Sequence, residues 1–177
     1  MKTTAGNTLT RGVVALLLAA PVLMQARTNP NGSLVERVQH ELAVLPYVNV
    51  FDDLSFRVDN GAVTLFGQVT QPVSKIDAEN AVKHLEGVTR VTNEIEVLPL
   101  SPFDDQIRMR TYRAIYGFAP LQHYGMGVFR AIHILVKDGH VTLKGVVSNE
   151  GDRNMAYLRA NSVPGVFSVT NELGVAR

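Results

Sequence analysis

Apolar and polar residues alternate in two pairs of short runs, each pair surrounding a turn dipeptide. Residues 54–58 and 63–69 flank Asn60-Gly61, and residues 132–136 and 141–147 flank Asp138-Gly139. Alternation is the period of a half-buried strand. Asn-Gly and Asp-Gly favour the type I′ hairpin turn, which needs positive φ at both central residues. Each pair therefore predicts an antiparallel hairpin. Gly67 and Gly145, inside the second strands, imply a bulge or a close backbone approach. Helices are expected next, over about 72–85 with Pro72 in the first turn, and over about 150–161 with Ser148 or Asn149 as cap. In the first of these, Val73, Ile76, Val82 and Leu85 are expected to face the core. Gly87 and Gly165 fit left-handed helix stops. Final strands are expected over 89–97 and 167–175. A further helix precedes each hairpin. Ser33 is placed to cap a stripe of Leu34, Val35, Val38, Leu42 and Leu45. Asp104 and Asp105 open the other, over about 104–116, where acidic residues suit the helix dipole.

The two halves are copies. Residues 58–97 and 136–175 align without a gap at an offset of 78, with 15 of 40 positions identical, far above chance. The predicted architecture is α+β: two tandem αββαβ repeats, each a three-stranded mixed sheet with two helices on one face. A strand–helix–strand crossover calls for right-handed parallel pairing of the last strand. Units this small are marginal alone, so the repeats are expected to pack together. The boundaries read as 33–97 for the first repeat, 98–103 for a short stiff linker, and 104–177 for the second repeat.

Both copies share Asn/Asp-Gly, Val-Thr-Leu-x-Gly-x-Val, an alanine in the helix, and Gly-Val-x-x-Val-x-Asn-x-Leu/Ile-x-Val. In the second copy these are Asp138-Gly139, Val141-Thr142-Leu143, Gly145, Val147, Ala156, Gly165-Val166, Val169, Asn171, Leu173 and Val175. The pattern resembles the BON domain. The resemblance implies tandem domains behind a signal sequence in a periplasmic protein that is not an enzyme, as in OsmY-like, osmotically induced proteins. Relatives contact anionic phospholipid through the first helix of their second domain and support envelope integrity. The shared positions are turn and core residues, so they transfer the fold and not a ligand site. This chain departs from the pattern by inserting residues 117–130, and it lacks the lipidated cysteine of lipoprotein relatives.

The N-terminus agrees with export. Lys2 and Arg11 precede an apolar run from Gly12 to Met24, too short for a membrane span and followed by Pro30-Asn31-Gly32. Residues 1–26 are read as a signal peptide and 27–32 as a linker. The chain has no cysteine, which excludes disulfides and thiolate chemistry.

Catalytic constellations are not expected. The five histidines, His40, His84, His123, His133 and His140, lack the spacing of a helical zinc site. Asp52-Asp53 and Asp104-Asp105 read as turn or cap residues, and Glu94 and Glu172 recur without a repeated base or nucleophile. No phosphate loop or triad spacing is present, and no metal or cofactor is expected. Near-neutral charge and export oppose nucleic-acid binding. Charge is segregated, however. Residues 33–97 hold five basic and ten acidic side chains, whereas residues 98–177 hold nine basic and six acidic. An anionic partner should prefer the second repeat. There Arg108, Arg110 and Arg113 line the first helix, Met109, Tyr112 and Tyr116 flank them, and the insertion adds Phe118 and Arg130. Arginine beside tyrosine and methionine suits a membrane interface. The expected function is non-enzymatic binding of anionic phospholipid in the envelope. The rival is a protein-interaction or chaperone-like scaffold that uses sheet edges or the insertion.

Overall fold

The computed structural model describes residues 30–126 and 131–176. The first repeat runs α1 (Pro30–Ala43), β1 (Asp53–Asp59), β2 (Ala62–Val69), α2 (Pro72–Lys83), β3 (Arg90–Asn93) and β4 (Glu96–Val97). The second runs α3 (Pro102–Tyr116), a 3-10 helix (Ala119–Gly125), β5 (Ile132–Lys137), β6 (His140–Val147), α4 (Glu150–Asn161) and β7 (Ser168–Val175). The signal-peptide reading and Arg130 lie outside the described residues.

Both hairpins form as expected. Asn60 and Gly61 have φ of 49° and 84°, and Asp138 and Gly139 have 51° and 78°. β1 pairs antiparallel with β2, and β2 pairs parallel with β3 and β4. β5 pairs antiparallel with β6, and β6 parallel with β7. The first sheet's last strand breaks at Glu94-Ile95, so it reads as two short strands on one side of β2.

The repeated residues have structural roles. Gly67 and Gly145 sit at φ 121° and 119°, and a side chain on either would run into the backbone carbonyl of Asp53 or Ala131. That is the close backbone approach the sequence implied. Asn93 ties the last strand to the helix, donating to Lys75 O at 2.9 Å while its Oδ1 accepts from Ile95 N. Asn171 repeats this with Arg153 O and Leu173 N.

Several expectations are corrected. Helix α2 buries Ser74, Ala78 and Val82, whereas Val73 and Ile76 are 37% and 58% exposed. The helix lies close on its sheet, and a row of small residues permits that approach where larger ones would not. Ser33 falls within α1, which starts at Pro30. In α3 the cap is Ser101, whose Oγ accepts from Asp104 N at 3.2 Å. Gly87 and Gly165 lie four residues past the helix ends. They occupy the third position of turns closed by Val88 N–Leu85 O and Val166 N–Val163 O, where positive φ is required.

The repeats pack on each other through the connection between α1 and β1. Val50 belongs to the second repeat's core, and its carbonyl accepts from Ile134 N at 2.8 Å. His133 Nδ1–H donates to Asp52 O at 2.6 Å, and the Phe51 ring meets Tyr112 edge-on. Two ion pairs flank this contact: Lys144–Asp53 at 2.8 Å and Lys137–Glu96 at 2.6 Å. Leu135 points off the helix-covered face of its sheet, yet it is only 2% exposed, with Gln68 of the first repeat beside it.

Candidate functional site

Helix α3 carries most of the sequence-predicted site, and the structure divides those residues between two faces. Arg108 points inward. It is 4% exposed, donates to Val136 O at 2.7 Å and pairs with Asp105. Its charge is used to hold α3 against β5 and does not reach a surface. Tyr116 is also buried, donating its hydroxyl to Ile132 O. Tyr112 is half-buried against the second core. Phe118 is half-buried under the guanidinium of Arg159, 4.8 Å from the ring centroid. In the insertion, Leu121 and Tyr124 are buried in the same core, and the Tyr124 hydroxyl binds Asp152 and accepts from Ser148 N. Arg108, Tyr112, Tyr116 and Phe118 therefore build the domain instead of forming an exposed aromatic flank. The reason is amphipathic: α3 must bury Ile107, Thr111 and Ile115, and these residues share or adjoin that stripe.

The opposite side of α3 remains open. Arg110 and Arg113 are exposed, and Arg110 reaches Pro164 O at 3.2 Å and Gln106 at 3.3 Å. Two residues that sequence reasoning missed join them. Phe103 is 44% exposed and Phe167 69% exposed, with ring centroids 6.0 Å apart. Phe103 is seven residues before Arg110, so at 100° per residue the two differ by only about 20° around the helix. That spacing is visible in the sequence. Phe167 has no such signal, because its ring is brought in by the fold, lying against Gly139 and 5.9 Å from His140. The result is a face of two guanidinium groups and two exposed phenyl rings. Met109, 41% exposed, stands on the other flank.

Met109 and Tyr112 instead border a groove of about 860 Å³ between the repeats. Its walls are the end of α1 (Leu42, Ala43), the connection 44–51, and Leu54 and Phe56 of β1. The lining is mostly apolar.

Several other titratable groups have structural partners. Asp104 is buried and accepts from the backbone N–H groups of Asp138 and Gly139, fixing the hairpin turn. Asp52, fully buried, accepts from Thr70 N, Thr70 Oγ1 and Asn49 N. The Glu96 carboxyl is held below the usual 4.5 by the Lys137 ammonium and by Gln68, and Lys137 is raised above 10.5 in return. His140 contacts Ser168 Oγ at 2.7 Å. Among the described residues no group of three His, Asp or Glu side chains is placed to hold a metal ion, and no helix is long and apolar enough to cross a membrane.

Comparison with known proteins agrees with this architecture. The BON domain family matches residues 31–99 and 129–177. No curated protein matches the sequence. Solved structures of CdsD, a structural protein of the type III secretion system of Chlamydia trachomatis, are similar at 13% identity over 81% of this chain and 92% of that one, with a TM-score of 0.31. Its C-terminal domain is similar at 14% identity over 81% and 98%, with a TM-score of 0.29.

Proposed function

Because the chain belongs to the BON-domain family, a family of non-catalytic binding modules often associated with phospholipid and with envelope or osmotic-stress roles, we propose that it is a periplasmic, membrane-associated protein that docks on anionic phospholipid through its second repeat. One observation carries this reading: Arg110 and Arg113 stand exposed on one face of α3 with the Phe103 and Phe167 rings beside them. Each arginine near an anionic surface contributes on the order of 1 kcal/mol. Phenyl rings at head-group depth add apolar burial, at about 25 cal/mol per Å². This differs from the expectation from sequence, in which tyrosines would insert.

The test is co-sedimentation of residues 27–177 with phosphatidylglycerol-containing and with neutral liposomes. Wild type, Arg110→Glu/Arg113→Glu and Phe103→Ser/Phe167→Ser are run side by side at low and high salt. Anionic liposomes should retain wild type and release both variants. Wild type staying in the supernatant under every condition would refute lipid docking.

The rival scaffold reading is favoured by a different observation, the apolar groove between the repeats.

A further inference from the structure

The second repeat closes the cleft between its first helix and its edge strand with a piece of the first repeat, and the matching cleft in the first repeat is open. On the outer edge of β5, Ile134 N–H donates to Val50 O at 2.8 Å. Val50 enters the core there, and Phe51 packs beside it. With Leu121 and Tyr124 completing the cover, the inward residues Ile132, Ile134 and Val136 are all 0% exposed. Their counterparts 78 residues earlier, Leu54, Phe56 and Val58, are only half-buried.

The edge beside those counterparts is unpaired. Among the described residues β1 pairs with β2 alone. The two hairpins share a register, Phe56 opposite Leu65 and Ile134 opposite Leu143. The Phe56 N–H therefore points off the edge as the Ile134 N–H does. Beneath it opens the groove walled by Leu42, Ala43, Leu45, Leu54 and Phe56. An edge donor row above an apolar channel is the arrangement by which sheets accept an added strand.

We propose that this groove receives an extended segment of another protein, which pairs with the β1 edge at Phe56 and seats an aliphatic–aromatic pair between α1 and β1. The occupant's chemistry is set by the chain's own answer to the equivalent cleft: Val50 followed by Phe51, with a carbonyl on the edge amide. Charge refines it. The first repeat carries ten acidic against five basic side chains, and with Asp53 and Glu96 already facing Lys144 and Lys137 an acidic excess of three remains, so the flanks of the segment should be basic. Arg110 and Arg113 do not border the groove, so the assignment goes beyond lipid docking and stands independently of it.

The experiment uses the full chain and a fluorescein-labelled peptide with the sequence of residues 47–51 followed by two lysines, read by fluorescence anisotropy. A saturable rise is expected. It should weaken at least about tenfold in Ala43→Glu, a change at an exposed position on the groove wall that leaves the core intact. It should be unchanged in Arg110→Glu/Arg113→Glu, and absent when aspartates replace the peptide's Val-Phe pair. No rise overturns the proposal. So does a rise insensitive to Ala43→Glu, since the peptide would then be displacing Val50-Phe51 from the second repeat. Displacement of the peptide by monomeric lysophosphatidylglycerol at lower concentration than by unlabelled peptide would assign the groove to an acyl chain and also overturn it. Self-association of the full chain that is lost in Ala43→Glu would give the groove to a second copy, with the same consequence.

Discussion

Replacing Asp52 by alanine tests whether one buried carboxylate holds the two repeats together. Its Oδ1 accepts from Thr70 N at 2.6 Å and Thr70 Oγ1 at 2.8 Å, and its Oδ2 accepts from Asn49 N at 2.9 Å. These bonds fix the turn that presents Val50 and Phe51 to the second repeat. The second repeat meets the same need differently: Ser148, the counterpart of Thr70, donates its amide to the Tyr124 hydroxyl. In Asp52→Ala, Asn49 is exposed and turns to water, and the Thr70 hydroxyl can rotate. The half-buried Thr70 amide cannot be resolvated without opening the turn. An unsatisfied buried donor costs about 1–3 kcal/mol, and partial unseating of Val50 adds to it, so the expected loss is about 2–4 kcal/mol. For a domain of this size that lowers Tm by about 5–15 °C. Asp52→Asn, which keeps an acceptor oxygen, should lose roughly half as much. Urea denaturation followed by circular dichroism measures the loss, and hydrogen exchange reads the Ile134 amide. A change below about 0.5 kcal/mol, or an Ile134 amide that stays as protected as in wild type, would refute the coupling.

Other expectations follow from the same contacts. Gly145→Ala should destabilise by about 3 kcal/mol or more, because it combines a positive-φ backbone with a collision against the Ala131 carbonyl; a thermal midpoint near wild type would exclude that approach. Arg108→Met should lower stability in urea yet leave liposome binding intact, the reverse of Arg110→Glu/Arg113→Glu; loss of lipid binding without loss of stability would return Arg108 to the surface site. The Glu96–Lys137 pair should make stability depend on pH at both ends. The lowered carboxyl contributes above 4.5 and is lost as pH falls through its folded value, whereas the raised ammonium contributes below 10.5 and is lost as pH rises through its own. Glu96→Gln should flatten both limbs of a denaturation-midpoint profile, and an unchanged profile would rule the pair out as a contributor.

The hairpins and the duplication were legible because their signals are local: a two-residue turn, a period of two, and a repeat at constant offset. The α2 register was not. Its core stripe of Ser74, Ala78 and Val82 is made of small residues, so hydrophobicity points to Val73 and Ile76 instead. At the site, Arg110 and Arg113 are exposed as the helical periodicity placed them. Arg108 was misplaced because a cation on an amphipathic helix ordinarily faces water, and only the tertiary partner Val136 O shows why this one does not. Phe167 and the Val50–Ile134 bond depend on contacts between segments far apart in sequence, which periodicity does not encode.

Charge segregation also changes meaning once the contacts are known. The excess of positive charge in residues 98–177 is three, nine basic against six acidic side chains. Two of the cations, Lys137 and Lys144, face Glu96 and Asp53 across the interface between repeats. Removing them leaves a residual of one, and Arg108 is already paired with Asp105. Long-range steering of the whole second repeat towards anionic surfaces is therefore weak, and part of the asymmetry serves to orient one repeat on the other. What remains for a membrane is local: two exposed arginines contributing on the order of 1 kcal/mol each. That is too little for stable attachment, since even a single acyl anchor binds only marginally. Under the lipid reading the Phe103 and Phe167 rings must then supply a comparable share, and moderate salt should weaken binding without abolishing it.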